Sequence, residues 1–87
     1  MQLPADAHID HAATLAALLP AEVAGSSGVL HIDASALRAV DSSTIALLMQ
    51  AERLARAAGR TVQITGAPPK LLALARLYGV EELLTLA

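Results

Sequence analysis

Apolar positions recur along the chain with two periods. In Val29-Leu30-His31-Ile32-Asp33-Ala34, Leu30, Ile32 and Ala34 alternate with Val29, His31 and Asp33, which predicts a strand with one buried face, the best central strand in the chain. Thr61-Val62-Gln63-Ile64-Thr65 is rich in β-branched residues and predicts a second strand. Between them Thr44, Leu47, Leu48, Ala51, Leu54, Ala55 and Ala58 follow helical spacing. They predict a long helix from about Asp41 to Ala58 with a continuous inner stripe, ended by Gly59. Ser43, Ala46, Met49, Gln50, Arg53 and Arg56 fall off that stripe.

Shorter patterns flank this unit. Ala12, Leu15, Ala16 and Leu19 predict a helix over Ile9 to Leu19, with Asp10 as its cap and Pro20 as its stop. Gly25-Ser26-Ser27-Gly28 reads as a loop, and Met1 to Ala5 as a candidate extra strand. Pro68-Pro69 opens a helix over Lys70 to Tyr78, Gly79 ends it, and Val80 to Leu86 can form one last short helix. Helix, strand, helix, strand, helix at these spacings predicts an α/β fold of parallel βαβ units with right-handed crossovers.

At 87 residues the chain has room for one small domain. Apolar residues make up 55%, dominated by Ala and Leu, with no Phe or Trp and only Tyr78 as an aromatic. A thin core of short side chains follows. A formal charge of −2 lacks the basic excess that phosphate backbones require, so nucleic acid is not an expected partner. There is no cysteine, which excludes disulfides and thiolate sites, and the N-terminal sequence has no secretory pattern. The expectation is a cytoplasmic protein. Such a small, apolar domain is marginal alone, which points to a surface that meets a partner.

Asp41-Ser42-Ser43-Thr44 is the stretch richest in candidate chemistry. Three hydroxyls and a carboxylate converge on a helix start, where orphan amides and the helix dipole favour acceptor groups and negative charge. Capping explains one or two of the four and leaves a hydroxyl to face outward, with Ser42 the candidate. Nearby, Met49 beside Ala46 and Gln50 supplies an adaptable contact patch. His8, His11 and His31 offer no i, i+4 pair and no thiolate companion, so no metal site is expected. A Ser42 hydrolase lacks the Gly-x-Ser-x-Gly elbow and a glycine-rich oxyanion loop. Asp33 as a phosphoacceptor lacks clustered carboxylates, and the single lysine, Lys70, lies in the last long helix. Asp33 reads instead as a polar strand end bonded into its loop. No catalytic residue and no cofactor is expected.

Val29-Leu30-His31-Ile32-Asp33-Ala34-Ser35, then Val40-Asp41-Ser42-Ser43 and Ala57-Ala58-Gly59-Arg60 resemble the STAS domain, the sulfate-transporter and anti-sigma-factor-antagonist fold. The run Leu72 to Leu84, with Leu74-Ala75-Arg76-Leu77-Tyr78-Gly79-Val80, is most similar to MlaB-type proteins, the cytoplasmic STAS subunit of the Mla phospholipid ABC transporter. Leu3-Pro4-Ala5 and the following helix resemble that family's second strand and first helix. Two departures stand out: Thr44 occupies the place of a usual glycine, and the usual first strand has no counterpart.

The resemblance implies a small mixed β-sheet with parallel βαβ units and three to four helices. It also implies a non-enzymatic subunit that docks on the transporter's ATPase, supports or regulates it in maintaining outer-membrane lipid asymmetry, and meets the membrane only through that complex. The key contact implied is Ser42, with Asp41, Ser43, Thr44, Ala46, Met49 and Gln50 around it. The alternative implied by the same family is an anti-sigma factor antagonist, with an anti-sigma factor or serine kinase as partner and Ser42 as its phosphorylation site.

Overall fold

A computed structural model describes residues 1–6 and 9–84, with the side chains of 9–11 left aside. The elements are α1 (Ile9–Ala16), α2 (Leu19–Gly25), β1 (Val29–Asp33), α3 (Ser42–Ala57), β2 (Thr61–Thr65) and α4 (Pro69–Leu77). β1 and β2 run parallel in register from Val29 opposite Thr61 to Asp33 opposite Thr65. The 16-residue α3 makes the crossover between them. The chain therefore has the small α/β architecture expected from its strand and helix periods.

The N-terminal stretch joins the other edge of β1. The Leu3 N–H donates to the Asp33 carbonyl at 2.9 Å, the Asp33 N–H donates to the Met1 carbonyl at 2.8 Å, and Gln2 and Asp33 form an isolated parallel bridge. The expected extra strand is thus realised as a short pairing that leaves β1 in the middle. Slightly further on, the N–H groups of Arg38 and Ala39 both donate to the Ala5 carbonyl, at 2.7 and 3.0 Å. These bonds stitch the segment leading into α3 to the chain start.

Alternation puts Leu30 and Ile32 of β1 and Val62 and Ile64 of β2 on one buried face, with His31 and Gln63 exposed on the other. Helices α1, α2 and α4 all pack on α3, and α3 packs on β2. Leu48 is fully buried at the centre of the cluster, with Leu3, Leu19, Ile32, Ile64 and Leu71. Ala51, Ala55 and Ala75 are buried just as completely. Where helices meet at alanines their axes can approach closely, which is how a core without Phe or Trp reaches close packing.

Several local expectations are corrected. Pro20 does not stop the first helix: α1 ends at Ala16, a turn covers Ala17 and Leu18, and Pro20 sits in the first turn of a new helix, α2. Proline lacks only an amide hydrogen that would be orphaned there, so it starts a helix as readily as it ends one. Asp10 is not a cap residue, since α1 already includes Ile9. Ile45 is buried although the stripe left it out, while Ala58 is exposed and Leu54 half-buried. Ala58 lies past the end of α3 as its C-cap, and α3 packs against α1, α2, α4 and β2. Glu81 to Leu84 form a single turn, with the Leu83 and Leu84 N–H groups on the Val80 carbonyl, in place of a last helix. Residues 85–87 lie outside the described set.

Candidate functional site

The start of α3 is built by its own residues. Asp41 has extended backbone and caps the helix; its Oδ1 accepts from the Ser43 N–H at 2.8 Å. The Thr44 Oγ1 accepts from the Asp41 N–H at 3.1 Å, which closes a capping box. Thr44 is 0% exposed. It belongs beneath the helix start and not among the surface contacts, a correction to its place in the expected partner site. The threonine that replaces the usual glycine thus supplies a hydroxyl that glycine lacks, and its methyl joins the core. Thr44→Val, which keeps the shape and removes the bond, is expected to cost about 1 kcal/mol of stability in urea unfolding.

With Asp41 and Thr44 committed to the cap, the outward side of α3 carries the rest. Ser42 and Ala46 are exposed, and Ser43, Met49 and Gln50 are half-buried. Ser42, Ala46, Met49 and Arg53 stand at i, i+4, i+7 and i+11, one continuous outer seam. The structure separates the expected neighbours of Ser42 to two sides of this seam. Ser43, Ala46 and Gln50 line a groove of about 290 Å³ against Ala12, Ala13 and Ala16 of α1. Met49 lines a different one of about 380 Å³, with Glu52, Arg53, Arg56, Ala57 and Leu83.

A third depression, of about 340 Å³, joins Val40, directly before the cap, to Lys70, Ala73, Leu74 and Leu77 of α4. Leu77 is 76% exposed, the largest exposure among the big apolar side chains described. This α4 stripe was missed in the sequence. The i, i+3, i+4, i+7 spacing of Lys70, Ala73, Leu74 and Leu77 was its available signal, but the same helix also offers Leu71 and Ala75, which are the ones buried.

Asp33 ends β1 as expected, bonded into its loop: its Oδ1 accepts from the Ser35 N–H at 2.9 Å. The Ser35 side chain, and then this backbone bond, hold the carboxyl below the usual carboxylate range. A group lowered on folding stabilises above its unfolded value and loses that contribution as pH falls through the folded one. Acid unfolding should therefore shift to higher pH in Ser35→Ala and Asp33→Asn should flatten that limb, both read by circular dichroism during acid titration. His31 is exposed on the sheet; His8 and the side chain of His11 lie outside the described residues. No group of three or more metal-ligating side chains occurs among the described residues, and no helix there is long and apolar enough to cross a membrane.

The family model described as "Mlab, STAS domain" matches residues 1–85. The chain belongs to the STAS family. No curated protein matches it significantly. STAS domains generally bind and regulate other proteins and are not catalysts. The capped start of α3 presents the Ser42 side chain to solvent, and Met49 is half-buried further along the same helix.

Proposed function

We propose that this STAS domain is a non-enzymatic subunit that binds the ATPase of a phospholipid ABC transporter and supports or regulates it in maintaining outer-membrane lipid asymmetry. The observation that carries the reading is the match to the Mlab-described family over 1–85. Docking uses the N-terminal turn of α3, with Ser42 at its centre and Ser43, Ala46, Met49 and Gln50 around it, while Asp41 holds the turn in shape. Val40, Leu74 and Leu77 extend that surface on the α4 side. Their exposed apolar area gives association its driving force, and the Ser42 hydroxyl fixes the register. The protein then sits in the cytoplasm, at the inner membrane through its partner.

Mass spectrometry of material co-purified at native expression tests this. An ABC ATPase with its permease is the expected result, and a serine kinase in their place would overturn it.

The exposed Ser42 hydroxyl at a helix N-terminus favours one second reading, an anti-sigma factor antagonist switched by phosphorylation. The helix dipole would stabilise a phosphate there, and its charge would block an apolar docking surface by desolvation and repulsion. A phosphate-affinity gel on protein from its native host separates the readings. The transporter reading expects no phosphorylated fraction under any stress; a persistent fraction that vanishes in Ser42→Ala would support the switch.

A further inference from the structure

The far end of the α3 seam has a character of its own. Arg53, Arg56 and Arg60 are three of the six cationic residues of a chain whose net charge is −2, so an acidic protein concentrates half its cations within eight residues. Arg56 in the last turn of α3 complements the helix dipole, an ordinary structural use. Arg53 lies a turn earlier, exposed, and the dipole does not account for it. It stands instead at the rim of the groove of about 380 Å³ whose apolar lining is Met49, Ala57 and Leu83. Leu83 is 50% exposed there and Met49 half-buried. Glu52 is the one acidic residue on this rim, against two arginines.

From this arrangement we infer that the α3 groove at Met49, Arg53, Arg56 and Leu83 receives an acidic amphipathic helix of the partner protein. Met49, Arg53 and Arg56 stand at i, i+4 and i+7, the spacing at which one helix reads another laid along it. An apolar side chain of the partner enters between Met49 and Leu83, where the flexible thioether adapts to its shape. Carboxylates a turn to either side face the two guanidiniums, which form forked, charge-assisted bonds to them. The groove continues the seam that starts at Ser42, so the occupant is the same partner that docks on the helix start. The inference rests on the docking surface proposed above and adds the chemistry of what binds its second half.

The test uses a fluorescein-labelled helical peptide with one leucine stripe flanked by glutamates, and its twin with every glutamate replaced by lysine. By fluorescence anisotropy with the full chain, the acidic peptide is expected to bind about tenfold tighter at low salt, from two exposed ion pairs gained against two like-charge contacts. The gap narrows as salt screens it. Arg53→Glu with Arg56→Glu should reverse the preference, Arg53→Lys with Arg56→Lys should keep it, and Met49→Lys should abolish binding of both peptides. Circular dichroism verifies that each variant is folded. Equal affinity for the two peptides, or a preference unchanged by the double glutamate variant, overturns the inference. So does competition by phosphatidylglycerol vesicles with the same arginine dependence, which would make the groove a reader of anionic lipid surfaces. Peptide selectivity lost while Ser42-dependent ATPase co-purification persists removes only the acidic helix. Selectivity intact with no ATPase recovered removes only the transporter.

Discussion

Ser42→Arg is expected to abolish recovery of the ATPase subunit with the tagged protein while the far-UV circular dichroism spectrum stays native. The fold survives because Ser42 is exposed and neither bond of the capping box uses its side chain: Asp41 accepts from the Ser43 amide and Thr44 from the Asp41 amide. Binding fails for three reasons. A long cation replaces a small hydroxyl at the centre of the docking surface, its charge opposes the positive end of the α3 dipole, and its desolvation has no compensating partner. A buried unpaired charge at an interface centre costs about 2–5 kcal/mol, enough to remove an ordinary transient complex. Ser42→Ala, which removes one hydrogen bond without adding bulk, should weaken recovery and not abolish it. Wild-type recovery of the ATPase with Ser42→Arg would move the docking surface elsewhere on the molecule.

Gly66→Ala should produce the largest stability loss of any single methyl addition at a glycine. Gly66 follows β2 with a φ of 69°, and a Cβ there would lie 2.7 Å from the Ser35 Cβ and 3.0 Å from the Ser35 Cα. Parallel pairing creates this contact. Both strands end at the same edge, the Ala34 N–H donates to the Thr65 carbonyl at 2.8 Å, and the loops that follow are pressed together. The left-handed backbone costs an L-residue about 1–2 kcal/mol. Overpacking against a backbone atom that cannot swing away adds about 1–3 kcal/mol. A domain of this size has only about 4–13 kcal/mol in total. Gly59→Ala is the control, because its φ is 72° but nothing lies within 4 Å. It should show only the conformational part in urea unfolding. Equal losses for the two variants would mean that the loops separate without penalty. The same edge carries Ser35, whose bonds hold Asp33, so Gly66→Ala should also raise the pH of acid unfolding.

How much of this was legible before folding differs from element to element. The strands were: alternation marks β1, whose two faces came out as read, and a run of β-branched residues marks β2. So was the capped start of α3, since capping is chemistry between residues three apart. Pro20 was misread because proline has the same local effect after one helix and at the beginning of the next. Thr44 has two readings, inner by helical spacing and a partner contact by its place beside Ser42, because a hydroxyl at a helix start can face out or in; its complete burial agrees with the spacing.

The candidate site divides in the same way. By itself the sequence determined the small α/β class, the parallel pairing implied by two strands around a long helix, and Ser42 as an outward hydroxyl, because periods and caps are local properties of a chain. The tertiary structure alone decided the rest. It sent Ser43, Ala46 and Gln50 to a groove with α1, Met49 to another with Leu83, and turned Leu74 and Leu77 of α4 toward Val40. An Ala- and Leu-rich helix has several apolar faces of nearly equal hydrophobicity, so which one is buried depends on the neighbours that enclose it and not on its own composition.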